Sequence, residues 1–360
     1  MSDTVLFIAE AGVNHNGSRE MALKLVDTAA DSGADFVKFQ TFNAASLASP
    51  SAPKAAYQAR QTGGDESQLA MLKRLQLSVE DHEVIITHCA QRGIGFLSTP
   101  FDPESLALLT KTFGLKRLKI GSGDLTTAPL LLDIARTGAQ IILSTGMATL
   151  GEVEEALGVL AFGMTAPAET APCRAAFAEA LTNVAVWSLL RTRVILLHCT
   201  TEYPAAIEDA NLRAMDTLAA AFGLSVGYSD HTEGTAISLA AVARGACVIE
   251  KHFTLDRSLP GPDHATSLEP KELAGLVRDI RRVTAALGSG LKQPSAAERA
   301  NRPVARKSLV AARALPAGHV LAVEDVALMR PGIGRPPIDY WVTLGERTMR
   351  SYVEGEAFDS

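Results

Sequence analysis

Two apolar runs of this chain each turn polar at a histidine. They are Leu224-Ser225-Val226-Gly227-Tyr228-Ser229-Asp230-His231 and Cys247-Val248-Ile249-Glu250-Lys251-His252-Phe253-Thr254. Each has the composition of a buried strand with polar last residues, and a helical stretch separates them. That order places two imidazoles at neighbouring strand ends of one sheet. Neutral imidazoles so placed suit a divalent metal with open coordination positions. They equally suit hydrogen bonding to nearby backbone, so the histidines alone leave both readings open.

Other polar groups fall at the ends of other apolar runs. Glu10, followed by Asn14 and His15, ends the first; Lys38 and Gln40 end the second, and Ser98 and Thr99 the third. Lys119, Ser122 and Asp124 follow the fourth, Ser144 and Thr145 the fifth, and His198, Thr200, Glu202 and Tyr203 the sixth. Ser229, Asp230, Glu250 and Lys251 accompany the histidines. Two lysines from separate strands among serine and threonine hydroxyls make a pocket for phosphate and carboxylate: point charge from one, directed hydrogen bonds from the other. With Glu10 for proton transfer and a metal on the histidines, the set reads as metal-assisted carbon chemistry on a phosphorylated small acid. A Schiff-base aldolase with Lys119 or Lys251 as nucleophile is the rival enzymatic reading.

The elements that must position these groups alternate in type. Eight strands are expected over Val5–Ala11, Phe36–Thr41, Gly95–Pro100, Arg117–Ser122, Gln140–Thr145, Val194–Thr200, Ser225–Asp230 and Cys247–Thr254. Helical patterns lie between them, among them Arg19–Ser32, Val79–Arg92, Pro129–Thr137 and Leu268–Leu287. Strands alternating with helices imply a parallel sheet, and eight repeats predict an α/β fold of the (β/α)8 TIM-barrel type. Such barrels carry their chemistry at the strand C-termini. No GxGxxG follows the first strand, which argues against dinucleotide binding. The alanine-rich stretch from Phe162 to Trp187 reads as an elaborated crossover between strands five and six, without assigned chemistry.

The barrel is expected over residues 1–288, a linker over 289–301 and a small second domain over 302–360, where turn residues such as Arg330-Pro331-Gly332 recur. With 360 residues, 47% hydrophobic, the chain can bury one large core and carry that second domain. A net charge of −6 argues against nucleic-acid partners and anionic membranes. No apolar run is long enough to span a bilayer. The four cysteines form no CxxC pair, and Met1-Ser2-Asp3-Thr4 lacks a basic targeting stretch, so a reducing, cytoplasmic location is expected.

In order along nearly the whole chain, the motifs resemble the sialic acid synthase family. The matching stretches include Ile8-Ala9-Glu10-Ala11-Gly12-Val13-Asn14-His15-Asn16-Gly17, Val37-Lys38-Phe39-Gln40-Thr41-Phe42 and Lys119-Ile120-Gly121-Ser122-Gly123-Asp124. They continue with His198-Cys199-Thr200-Thr201-Glu202-Tyr203-Pro204, Tyr228-Ser229-Asp230-His231-Thr232, Ile249-Glu250-Lys251-His252 and Gly261-Pro262-Asp263-His264. Residues 302–360 resemble the antifreeze-protein-like (SAF) domain of these synthases. The resemblance implies condensation of phosphoenolpyruvate with an N-acylated amino sugar to a nine-carbon nonulosonate, with release of phosphate. It implies Glu10 as catalytic carboxylate, and Lys38, Gln40, Thr99, Lys119, Ser122, Ser144 and Ser229 around phosphoenolpyruvate. It implies His231 and His252 on Mn2+ or Mg2+, and Asp124, Tyr203, Asp263 and Arg330 on the acceptor. It also implies a domain-swapped homodimer in which Arg330 serves the partner's barrel. The acceptor expected first is N-acetylmannosamine, giving N-acetylneuraminate; the alternative is 2,4-diacetamido-2,4,6-trideoxymannose, giving legionaminate. A non-enzymatic surface or ice-binding role for the last domain is opposed by the ring of polar strand ends.

Overall fold

In the computed structural model, which describes residues 4–55, 59 and 66–359, eight parallel strands form one sheet. They are β1 (Leu6–Gly12), β2 (Phe36–Thr41), β3 (Gly95–Pro100), β4 (Arg117–Ile120), β5 (Gln140–Ser144), β6 (Val194–Cys199), β7 (Ser225–Asp230) and β8 (Val248–His252). The hydrogen-bonded order is β3-β2-β1-β8-β7-β6-β5-β4. β3 and β4 lie side by side, and among the described residues no ladder joins them, so the sheet curls into a nearly closed barrel. Met1–Asp3, read above for the lack of a targeting stretch, lie outside the described residues.

The expected strands all form, with bounds moved by one or two residues at several ends. β2, β3 and β7 run as expected. β4 stops at Ile120, because Ser122–Asp124 turn into a single 3-10 turn that folds over the strand end. β8 spans Val248–His252 and excludes Cys247, Phe253 and Thr254. Helices start where side chains can satisfy their free N–H groups. Ser78 and Asp81 cap Val79–Arg92 reciprocally, and Thr149 and Glu152 do the same for Leu150–Thr165. The crossover from β5 to β6 is built of three helices, Leu150–Thr165, Arg174–Ala180 and Val184–Arg193.

Period-two alternation divides the strand residues between two faces. Outward residues such as Phe7, Val37, Leu118, Ile141, Leu196 and Ile249 pack under helices in the main core. Inward residues Ile8, Leu97, Ile142, Leu197 and Val248 meet in a separate apolar layer that fills the barrel lumen. β7 contributes Gly227 to this layer, because a Cβ there would stand 2.5 Å from the Val248 carbonyl and 2.6 Å from Leu197 Cδ2.

The chain divides into two compact units, Met1–Gly288 and Ser289–Ser360. In the second, β9 (Ser308–Ala311) pairs antiparallel with β10 (Val326–Met329) over a small core of Leu309, Leu315, Leu321, Tyr352 and Phe358. Buried Asp325 ties this unit together through Arg313 at 2.6 Å and His319 at 2.8 Å. The segment expected as a linker over 289–301 is helical in part. Ala296–Ala305 forms a helix capped by Ser295 and Glu298, an S-x-x-E capping box that wins over the surrounding Gly and Pro signals.

Candidate active site

Immediately above the apolar layer, the next inward residues are polar. Register pairs Glu10 with Lys38 and with His252, Gln40 with Thr99, and Ser229 with both Cys199 and Glu250. Lys119 and Ser144 complete the layer from β4 and β5, with Lys119 Nζ donating to Ser144 Oγ at 2.6 Å. Apart from half-buried Gln40 and His252 these groups are buried, so each charge needs a counter-charge within reach.

The counter-charges come from Glu10 and Glu250. Lys38 Nζ lies 3.0 Å from Glu10 Oε1 and 3.5 Å from Glu250 Oε2, and Lys119 Nζ lies 3.7 Å from Glu250 Oε1. Ser229 Oγ donates to Glu250 Oε1 at 2.9 Å. The two carboxylates are thereby driven apart in acidity. Burial pushes Glu10 up to about 7 against the pull of Lys38. Burial also disfavours the Glu250 anion, but Lys119, Lys38 and the Ser229 hydroxyl outweigh it and hold the group at about 2. Glu250 is therefore a fixed anion, while Glu10 is poised to take or give a proton near neutrality. Glu10 Oε2 is buried without a hydrogen-bond partner, which leaves it available to a reacting group.

The imidazoles sit one step further out. The His231 and His252 rings are 5.7 Å apart, and the Tyr203 ring packs against them at 4.2 Å and 5.5 Å. His231 Nδ1 is 2.6 Å from the Thr200 carbonyl and donates to it, which leaves Nε2 unprotonated, with Ser229 Oγ 3.4 Å away. Burial lowers His231 to about 4 and holds His252 well below the ordinary range, so both rings are neutral. Asp263 Oδ2 is 3.9 Å from His252 Nδ1, and burial raises its carboxyl to about 6. Around Gly12 (φ +53°), a Cβ would stand 3.3 Å from Glu10 Oε1, 3.5 Å from His252 Cε1 and 3.6 Å from Asp263 Oδ2. Glycine thus permits both the left-handed backbone and the convergence of these three side chains. Among the described residues no three His, Cys, Asp or Glu side chains are grouped to hold an ion unaided. Two neutral imidazoles fit a divalent ion that takes its remaining ligands from water or substrate.

The remaining expected site residues fall into three groups. Ser122, half-buried, accepts from Gly146 N at 3.0 Å and lies 3.2 Å from Cys199 Sγ, so it borders the Lys119–Ser144 side. Asp124 is half-buried beside it, accepting from Thr127 Oγ1 at 3.3 Å, and burial raises its carboxyl. Arg330 belongs to the second unit, exposed just after β10. Several strand-end residues do not join the ring. Asp230 and Lys251 pair with each other at 2.9 Å on the outward face, where Thr232 and Ser238 also bond Asp230. Ser98 bonds Thr41 and the Phe39 carbonyl, and His198 bonds the Ala210 carbonyl. Alternation explains each: these residues are one step out of phase with Glu250, Ser229 and Thr99. Glu250 is the site residue given no role from sequence; its phase with His252 was the available signal.

A parallel barrel whose strand C-termini carry two buried lysines, two carboxylates and two neutral imidazoles is the frame of an enzyme acting on a small anion. Residues 25–292 match the NeuB family, and the chain belongs to that family. It is 49% identical to an N,N'-diacetyllegionaminic acid synthase of Campylobacter jejuni over 98% of both chains. It is 43% identical to an N,N'-diacetyllegionaminic acid synthase of Legionella pneumophila, over 96% of this chain and 91% of the relative. Among solved structures, an N-acetylneuraminic acid (sialic acid) synthetase from Leptospira borgpetersenii is similar at 34% identity and TM-score 0.66. That match covers 83% of this chain and 90% of the other.

Proposed function

We propose that this chain is a phosphoenolpyruvate-dependent nonulosonate synthase whose acceptor is 2,4-diacetamido-2,4,6-trideoxymannose, making N,N'-diacetyllegionaminate. The observation that carries the reaction class is the buried Lys38–Glu10 and Lys119–Glu250 array directly above the lumen floor. The acceptor choice, which departs from the N-acetylmannosamine expected first, is supported by the legionaminic acid synthases at 49% and 43% identity.

Lys38 and Lys119, with the Thr99, Ser122, Ser144 and Ser229 hydroxyls and the Gln40 amide, hold phosphate and carboxylate where water is excluded. The methylene carbon of phosphoenolpyruvate bonds to the acceptor's aldehyde carbon, whose oxygen takes up a proton. Water adds, with loss of a proton, at the oxocarbenium carbon that bears the phosphate oxygen, and phosphate leaves with C–O cleavage to give the 2-keto acid. Glu10, near neutrality, moves the protons of these steps. Asp124, Tyr203 and Asp263 line the acceptor side. His231 and His252 hold a Mn2+ or Mg2+ ion, which when bound polarises the aldehyde. The second unit is an antifreeze-like domain that brings Arg330 to the acceptor in a domain-swapped homodimer.

A mass-spectrometric assay offering both acceptor sugars in parallel with phosphoenolpyruvate tests the reading. Preferential formation of the diacetamido product supports it. Turnover of N-acetylmannosamine alone moves the assignment to N-acetylneuraminate, and turnover of neither overturns the synthase reading.

A further inference from the structure

The loop after β1 carries Asn14, a fully buried polar residue that the proposed chemistry does not use. Its Nδ2 donates twice across the barrel seam, to the Phe253 carbonyl at 2.8 Å and to Ser267 Oγ at 3.0 Å. Ser267, also fully buried, passes the link on: its hydroxyl donates to the Asp263 carbonyl at 2.7 Å. Phe253 is the residue after His252, and its own N–H donates to the Glu10 carbonyl at 3.1 Å. One amide therefore grips both the backbone just past His252 and the turn that carries Asp263. Asn16 fixes the same loop from a second point, donating to the Pro260 carbonyl at 2.7 Å.

The two imidazoles are held differently. His231 Nδ1 has the Thr200 carbonyl at 2.6 Å. His252 Nδ1 is buried with no hydrogen-bond partner, and the Asp263 carboxylate at 3.9 Å is the polar group placed to serve it. A small ring rotation closes that gap. Where the Asp263 turn sits thus decides which His252 nitrogen carries the proton, and so which lone pair faces the site. The Asn14 Oδ1 atom makes no hydrogen bond, so the residue acts through its two N–H donors. An aspartate would instead set an acceptor against the Phe253 carbonyl.

We propose that Asn14 is a positioning residue: through Ser267 and Asp263 it fixes the ring orientation and tautomer of His252, so that both histidines offer Nε2 to a cation. This rests on the metal reading of His231 and His252 given above.

The test titrates Mn2+ alone, without substrates, into the full chain by calorimetry, and reads the His252 tautomer by 15N NMR of the metal-free protein. Asn14→Ala and Asp263→Asn should each weaken Mn2+ binding about 10- to 100-fold, and the double variant should lose little more, because both act on one ring. Ser267→Ala removes a single hydroxyl and should lower affinity in the same direction; it carries the test if Asn14→Ala does not fold. The metal-free NMR spectrum should pass from Nδ1-protonated His252 in the wild type to a tautomer mixture in the variants, a change that simple loss of stability does not produce. Wild-type affinity and tautomer in Asn14→Ala and Ser267→Ala, with His252→Ala defective, overturn the positioning role alone. Wild-type affinity in His252→Ala overturns the metal reading and this proposal together.

Discussion

Replacing Lys38 by methionine removes the ammonium that stands between two buried carboxylates, 3.0 Å from Glu10 and 3.5 Å from Glu250. At 3.0 Å and an effective dielectric of about 20, the Glu10 pair alone attracts with about 5 kcal/mol. Much of that offsets the desolvation of the two ions, so the net loss on breaking the pair is about 3–5 kcal/mol. The loss must depend on pH, since only ionised Glu10 needs its partner. Glu10 titrates at about 7 in the folded chain against 4.5 unperturbed. A carboxyl raised on folding contributes stability that is fully present below about 4.5 and lost as pH rises through about 7. Lys38 pulls that pKa down, so without it Glu10 stays protonated to higher pH. The variant's stability then goes on falling where the wild type has levelled, by up to about 1.4 kcal/mol per pH unit. Urea unfolding of both proteins at one fixed concentration, at about pH 6 and about pH 8.5, should show the gap widening by about 2–3 kcal/mol. In the Glu10→Gln background the widening should vanish. A gap that stays constant across this range, or persists in that background, would refute the assignment of Glu10 as the proton-exchanging member of the array.

Gly146→Ala should weaken phosphoenolpyruvate binding at least about tenfold and destabilise the chain by about 1–3 kcal/mol, as read by calorimetry and thermal melting. The added Cβ would lie 2.3 Å from Thr201 Oγ1 and 2.8 Å from Ser122 Oγ, and unchanged binding would place the anion elsewhere. Arg330→Ala should raise the KM of the acceptor more than that of phosphoenolpyruvate, and equal effects on both would remove its acceptor role. Borohydride with phosphoenolpyruvate and acceptor should trap no adduct, because Lys251 is tied to Asp230 at 2.9 Å and Lys119 to Ser144 at 2.6 Å. Mass spectrometry finding either lysine modified would overturn the synthase chemistry, since burial lowers the pKa of both amines as a Schiff base requires.

Strand ends could be read one by one in the chain, because each apolar run ends sharply in polar residues, as Val37-Lys38-Phe39-Gln40 does. Which of those residues meet could not be read so directly. Lys251 and Glu250 are neighbours in sequence, but alternation sends one to Asp230 outside the lumen and the other between Lys38 and Lys119. Settling that phase needs the register between strands, a long-range property that local composition does not carry. Strand four, expected to run to Ser122, ends at Ile120, because the chain turns at Ser122–Asp124 instead of continuing the ladder. The helix Ala296–Ala305 was hidden by the Gly and Pro around it, although its capping box was present in the sequence.

The apolar layer of Ile8, Leu97, Ile142, Leu197 and Val248 makes the barrel a well with a sealed bottom. In the proposed site, ligands come and go by the mouth at the strand C-termini. Whatever Lys38 and Lys119 grip rests on that bottom, while Asp124 and Tyr203 lie beyond the strand ends, nearer the rim. A molecule seated at the rim corks one lying below it. On the proposed site, loading is expected to run deep ligand first and shallow ligand second, and unloading in reverse. Steady-state inhibition patterns showing random entry of the two substrates would mean that the well has a second opening.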